Sequence, residues 1–150
     1  MQFTPIDNSN IEQLAAYNKK CRYRICDYSA GIKIMWQNAG YEYAKACGCL
    51  LVKSKWGGQT YFDYPVPIDD EADVNAALVA CGEYCAEHFI PFRLCDVPAC
   101  AMCTVLGCYP NIEIRTERNF DDYLYLAGDF IRFEGKKYAG QRNHIRKFYA

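Results

Sequence analysis

Between Tyr41 and Tyr64 the chain makes three short runs of strand-forming residues, Tyr41 to Ala46, Cys49 to Lys53 and Gln59 to Tyr64. Gly48 and Trp56-Gly57-Gly58 separate them. Short runs divided by glycine turns predict an antiparallel meander, because glycine reaches the backbone angles of a tight hairpin at little cost. Upstream the apolar period is helical. Asn8-Ser9-Asn10 before Ile11, Leu14, Ala15 and Tyr17 predicts a capped helix to about Arg22, and Ile32, Met35 and Trp36 predict a second over Tyr28 to Asn38, ended by Gly40. After Pro65-Val66-Pro67 come Asp69-Asp70-Glu71-Ala72-Asp73 and a long apolar period through Val74, Leu78, Cys81, Tyr84 and Cys85 to about His88. Acids in that place compensate the dipole at a helix start. A buried strand from Phe92 to Cys95 and a helix from Pro98 to a stop at Gly107 follow. Beyond them the sequence predicts strands at Asn111 to Thr116 and Asp122 to Ala127, a short helix from Asp129, and a last helix from about Gln141. Helices, a meander and then alternating elements predict an α/β fold of the mixed α+β kind, a mixed sheet flanked by helices.

At 150 residues, 51% of them apolar, residues 1–150 are the size of a single domain with its own core. The longest apolar run, Ala76 to Cys81, falls far short of the ~20 residues of a membrane span, and the first residues lack a signal-peptide pattern. A cytoplasmic location is the expectation. Seventeen Lys and Arg against eighteen Asp and Glu give a net charge of -1, so any electrostatic role is local.

Ten cysteines in a chain without a leader predict reduced thiols that serve mainly as small core residues. Cys95, Cys100, Cys103 and Cys108 include a two-residue gap that also suits zinc or an iron–sulfur cluster, but Met102, Val105 and Leu106 around them favour packing, and no metal is expected. No serine stands in a nucleophile elbow and no Gly-x-x-x-x-Gly-Lys loop occurs, which argues against a hydrolase or a P-loop enzyme.

Charge and glycine do concentrate at Gly135 to Phe148, where five of the seventeen Lys and Arg fall within fourteen positions. Gly135 and Gly140 flank a loop holding Lys136 and Lys137 that leads into a helix with Ile145 and Phe148 on one side and Arg142, Asn143, Arg146 and Lys147 on the other. A glycine loop entering a helix beside lysines suits an anion, because free N–H groups and the dipole both favour it. A solvated basic helix face is the equally available alternative.

The string Asp121-Asp122-Tyr123-Leu124-Tyr125-Leu126-Ala127, then Gly135-Lys136-Lys137, then Arg142-Asn143 with Phe148 five residues on, resembles an uncharacterised bacterial family that shares a domain with the C-terminal part of phosphatidylglycerol lysyltransferases. Gln141 stands where a lysine is common, and Tyr28 to Trp36 and Phe62 to Pro65 are weaker points of likeness. The resemblance implies a GCN5-related N-acetyltransferase-like fold, usually in tandem, so that this chain would be the first half of a longer protein. It implies transfer of an aminoacyl group from a charged tRNA, or an acyl group from acyl-CoA, to an amine or lipid head-group acceptor. The partners would then be tRNA or CoA as donor, with a second acyltransferase-like domain or a homodimer; no resident cofactor is implied. Lys136, Lys137, Gly140, Arg142 and Asn143 are the expected ligand-binding residues. Tyr123 and Tyr125 are further candidates, alternating on a predicted strand and so facing opposite ways. A binding or dimerisation module without catalysis is the alternative.

Overall fold

The computed structural model describes residues 1–150. It divides into two compact units, Met1–Arg115 and Thr116–Ala150.

The first unit is built on one sheet. Its strands are β1 (Thr4–Pro5), β2 (Glu42–Ala46), β3 (Cys49–Trp56), β4 (Gln59–Asp63), β5 (Val66–Pro67) and β6 (Leu94–Cys95). They run in the order β1-β2-β3-β4-β6, with β5 also on β3. The expected meander is β2-β3-β4. Gly48, Gly57 and Gly58 all take positive φ in its turns, which is why glycine marks them in the sequence. β4 and β6 pair in parallel, Phe62 beside Leu94 and Asp63 beside Cys95. β4 and β5 are two pieces of one path along β3, broken at Tyr64-Pro65, where proline has no N–H to continue the ladder.

Alternation along β3 sorts the core. Leu50 and Val52 face helices α1 (Ile11–Asn18) and α2 (Ala30–Met35), while Cys49 and Leu51 face α3 (Val74–Glu87) with Phe62, Cys81 and Cys85. Asp73 caps α3 as the acidic run predicts, its Oδ1 accepting from Ala76 N at 3.0 Å. Helix α4 (Met102–Cys108) packs on α3 through Leu78, Ala101 and Val105, and it contains Gly107 instead of stopping there.

Helix α2 turns differently from expectation. Met35 and Trp36 are 76% and 54% exposed, and the buried positions are Ala30 and Lys33. Helix α1 also ends at Asn18, four residues early, and from Cys21 to Ile25 the chain is neither helix nor strand. Neither downstream strand forms: Asn111 to Thr116 and Asp122 to Ala127 join no sheet, and Ile114 and Leu124 are exposed. Their alternation is real, but strand propensity without a partner and a buried face makes no sheet. No helix is long and apolar enough to cross a membrane.

The second unit is helical. Helices α5 (Ala127–Arg132) and α6 (Ala139–Tyr149) flank a short turn at Lys136–Tyr138, and both begin two residues before the positions expected. A file of ring contacts through Tyr125, Phe130, Phe133 and Tyr138 holds it together.

Candidate functional site

Two places collect chemistry, one in each unit. In the first unit it is the carboxyl end of the parallel pair β4 and β6, where open sheets leave a crevice for ligands. Asp63 ends β4, and the Nζ of Lys33 from α2 reaches its Oδ2 at 2.5 Å, with side-chain exposures of only 2% and 4%. The same ammonium lies 4.4 Å from the centre of the Tyr41 ring. Burial works against the charge on Lys33, and the Asp63 carboxylate more than offsets it, so the lysine is held above its ordinary pKa. On β6, Cys95 Sγ lies 3.5 Å from Phe62 O and 3.6 Å from Asp63 Oδ1. Burial, and then the charges of Asp63 and Asp96, push that thiol well above its usual value, so it stays protonated.

Asp96 follows directly, in the left-handed region at φ 53. Tyr28 Oη donates to its carbonyl at 2.6 Å and holds the turn. Burial raises the Asp96 carboxyl to about 6, helped by the negative charges of Asp63 and Asp27. Asp63, Cys95 and Asp96 bring ligand atoms within 4.8 Å of one another, as a single cation requires. Lys33 already supplies positive charge to Asp63, so the set is balanced by the chain itself. A cavity of about 10 Å³ adjoins Lys33, Asp63 and Tyr64, room for one water at most.

The strain at Asp96 gives a prediction. Its folded pKa of about 6 stands above the reference value of 3.8. The group therefore contributes fully to stability below about 3.8, and that contribution is lost as pH rises through about 6. Asp96→Asn removes the loss and also suits a left-handed backbone. The variant is expected to be more stable than wild type by about 3 kcal/mol at pH 7, with the gain fading towards pH 4, as urea titrations at the two pH values would show.

In the second unit the expected residues divide. Lys137 Nζ lies 3.1 Å from Asp129 Oδ2, and Tyr138 Oη donates to the same oxygen at 2.9 Å. Arg142 Nη1 donates to Phe133 O and, at 2.8 Å, to Gly135 O. Both cations thus close the turn between α5 and α6. Lys136 and Asn143 remain exposed on either side of that turn, and a Cβ at Gly140 would meet nothing. Gly135, at φ 86, leads into it as expected, and no side chain caps the start of α6. Tyr123 and Tyr125 do not face apart: their rings stack at 6.4 Å and 19°, because the segment is not a strand.

The four cysteines of the metal reading do not converge. Cys95 turns to Asp63, Cys108 lies 3.5 Å from Asn75 Oδ1, and Cys100 and Cys103 are exposed. The set around Lys33 lies outside the residues expected from sequence; its one local signal is a lysine between Ile32 and Ile34 on a helix with a buried face.

A conserved protein of unknown function from Bacteroides thetaiotaomicron VPI-5482, known from its crystal structure, matches this fold with a TM-score of 0.81 at 25% identity. The match covers 99% of this chain and 50% of that one, so the chain spans half the length of the solved relative. No curated protein gives a match. The profile of the family described as phosphatidylglycerol lysyltransferase, C-terminal, matches residues 19–150, which takes in the Lys33 to Asp96 set and the whole α5–α6 segment, and the chain belongs to that family.

Proposed function

We propose that this acyltransferase-like domain takes part in transfer of an aminoacyl group from a charged tRNA to an amine or lipid head-group acceptor. The observation that carries the reading is the carboxyl end of β4 and β6, where a strand break at Tyr64-Pro65 adjoins the carboxylate of Asp96. In such a transfer the acceptor's N–H or O–H loses a proton as its lone pair attacks the ester carbonyl. The carbon–oxygen bond to the ribose then breaks, and the ribose oxygen takes up a proton. A carboxylate near pH 6 is suited to receive the first proton at neutral pH, and Asp96 is the residue we assign to it.

Acyl-CoA is the less favoured donor for a physical reason. In an open sheet the helix after a parallel strand offers its N-terminus to a phosphate, but here Asp73 caps that end and Asp69, Asp70 and Glu71 precede it. Of the expected ligand-binding residues, Lys136 and Asn143 are the side chains left available to a phosphate. Gly140 lets a ligand approach the first turn of α6.

The exposed apolar residues of the second unit favour a role beside catalysis. Leu124, Ile131, Phe148 and Tyr149 are all largely exposed, as a surface that docks on a second acyltransferase-like domain or a second copy would be.

The test is a transfer assay with radiolabelled aminoacyl-tRNA and either phosphatidylglycerol vesicles or simple amines, with binding of tRNA and acyl-CoA measured alongside. Lys136→Ala with Asn143→Ala is expected to lower kcat/KM for tRNA roughly tenfold, and Asp96→Asn to lower kcat by ~10²-fold or more while the fold stays intact. Absence of both transfer and tRNA binding at low salt would sink the reading.

A further inference from the structure

Four residues other than glycine stand in the left-handed region: Cys47, Phe89, Asp96 and Phe133. Such angles are costly for a residue with a side chain and persist only where the surroundings enforce them. Three of the four have a local reason. Cys47 opens the short turn between β2 and β3, which is flanked by the pair Ala46 and Cys49. Phe89 ends α3, its N–H donating to Ala86 O and that of Ile90 to Cys85 O, and Phe133 caps α5 with its N–H on Asp129 O. Asp96 ends no helix and turns no hairpin. It follows β6, and the bond that holds it comes from 68 residues away.

That bond runs from Tyr28 Oη to Asp96 O over 2.6 Å. Tyr28 is itself well anchored. Its backbone lies in the short turn Cys26–Tyr28, and its ring is buried in the core cluster that holds Leu50, Val52 and Val66. Burial raises its hydroxyl far above the ordinary value, and the charges of Asp63 and Asp96 add to this, so it stays a donor.

The turn decides where the Asp96 carboxylate goes. In a continuing strand Cys95 and Asp96 would point to opposite faces. Here the Asp96 carboxylate and the Cys95 thiol both come within 4.8 Å of the Asp63 carboxylate. Two acids are thus held together in a place of low exposure, against their mutual repulsion. Burial is the largest influence on the Asp96 carboxyl. Of the groups that face it, Asp63 on β4 and Asp27 on the Cys26–Tyr28 turn raise its pKa further, while Lys33 on α2 and the thiol of Cys95 on β6 lower it.

We propose that Tyr28 is a positioning residue for the transfer, its hydroxyl holding the left-handed turn that keeps the Asp96 carboxylate beside Asp63 and in place to receive the acceptor's proton. The proposal rests on the assignment of Asp96 above. Without the hydroxyl the turn relaxes towards ordinary angles and the carboxylate leaves Asp63. Its pKa then falls from about 6 towards the usual carboxylate range.

Tyr28→Phe removes one oxygen and keeps the ring. Carbon-13 NMR titration of the side-chain carboxyls should show Asp96 titrating about one pH unit lower in this variant than in wild type. In the transfer assay kcat should fall roughly tenfold with KM little changed, and the acid limb of kcat/KM should move down in pH with the NMR value. Tyr109→Phe is the control, because its hydroxyl makes the same kind of bond, to Leu78 O at 3.0 Å, in another part of the core. It should leave the titration and the pH profile as in wild type. In an Asp96→Asn background Tyr28→Phe should lower kcat no further, since a residue that acts through another loses its effect with it. The proposal is overturned if Asp96 titrates at the ordinary carboxylate value in wild type, if it titrates alike in wild type and Tyr28→Phe, or if the effects of the two substitutions on kcat multiply. A high-titrating Asp96 that is lost in Tyr28→Phe, without transfer by wild type, would sink the reaction and leave Tyr28 as the residue that places this carboxylate. Transfer with an unmoved Asp96 would keep the reaction and remove the proposal.

Discussion

Lys33→Met is expected to destabilise the first unit by roughly 3–5 kcal/mol, the usual penalty for leaving one member of a buried ion pair without the other. Asp63 would then keep its burial and lose the ammonium at 2.5 Å. Its only remaining polar contact there is the weak one to the Cys95 thiol. Burial already raises the Asp63 carboxyl, and without Lys33 it is driven towards the protonated form. Two further results separate this cause from simple loss of packing. The deficit should shrink as the pH is lowered, because a protonated Asp63 no longer needs a counter-charge. Lys33→Met combined with Asp63→Leu should recover most of the stability, since apolar replacement of a whole buried pair is commonly neutral or better. Urea denaturation of the three variants and wild type at pH 7 and pH 5 provides the comparison, and an additive double variant would refute the coupling.

Gly48→Ala is expected to have an effect of similar size from a different cause. Gly48 sits at φ 69 in the turn between β2 and β3. A Cβ there would lie 2.2 Å from Asp69 Oδ1 and 2.7 Å from the Cα of Ala72. The first contact is with a side chain that can move, but the second is with backbone. That backbone is pinned, since Gly48 O accepts from Ile68 N and Cys47 O accepts from Asp73 N, each at 2.9 Å. Left-handed strain of about 1–2 kcal/mol and overpacking of about 1–3 kcal/mol together give a loss of roughly 3 kcal/mol. Gly57→Ala is the control: it has positive φ but open space, so it should show the strain alone. Thermal melts that place the two variants equal would remove the close approach as a cause.

The meander was legible because its turns demand glycine, and Gly48, Gly57 and Gly58 stand in the sequence where the positive φ values fall. Helix α3 was legible because its acids and its apolar period agree on where it begins. Two-residue strands such as β1 and β5 were not, since no period can be read in so short a stretch and their pairing is set by what lies across the sheet, whereas β6 falls inside the strand expected over Phe92 to Cys95. Asn111 to Thr116 and Asp122 to Ala127 show the converse error, a good strand pattern that lacks a partner strand.

For the candidate sites the division is similar. The α5–α6 segment was located by charge, glycine and family motif. That Arg142 would spend its guanidinium on Phe133 O and Gly135 O depends on the fold of the turn and not on spacing. A single-variant test at Arg142 would therefore mix a loosened turn with a lost ligand contact. The set of Lys33, Asp63, Cys95 and Asp96 draws on a helix, two strands and the turn beyond, with about thirty residues between successive parts and no local pattern to announce it. Met35 and Trp36 drew attention to the wrong side of α2, because apolar size is a poor guide in a helix whose buried polar residue is already paired.

The ion pair also bears on how the sheet finds its alignment. A slip of β4 by one residue against β3 would turn Asp63 to the α3 side and leave the Lys33 ammonium in an apolar wall of Leu14, Leu50 and Val66. Such a slip would also carry Phe62 and Tyr64, two residues apart and both packed on the α3 side, away from it together, so the apolar pattern opposes it as well. The lone charge would not be tolerated. Lys33 therefore acts as a key to strand position: helix α2 can seat fully on the sheet only when β4 has arrived in the one alignment that meets it.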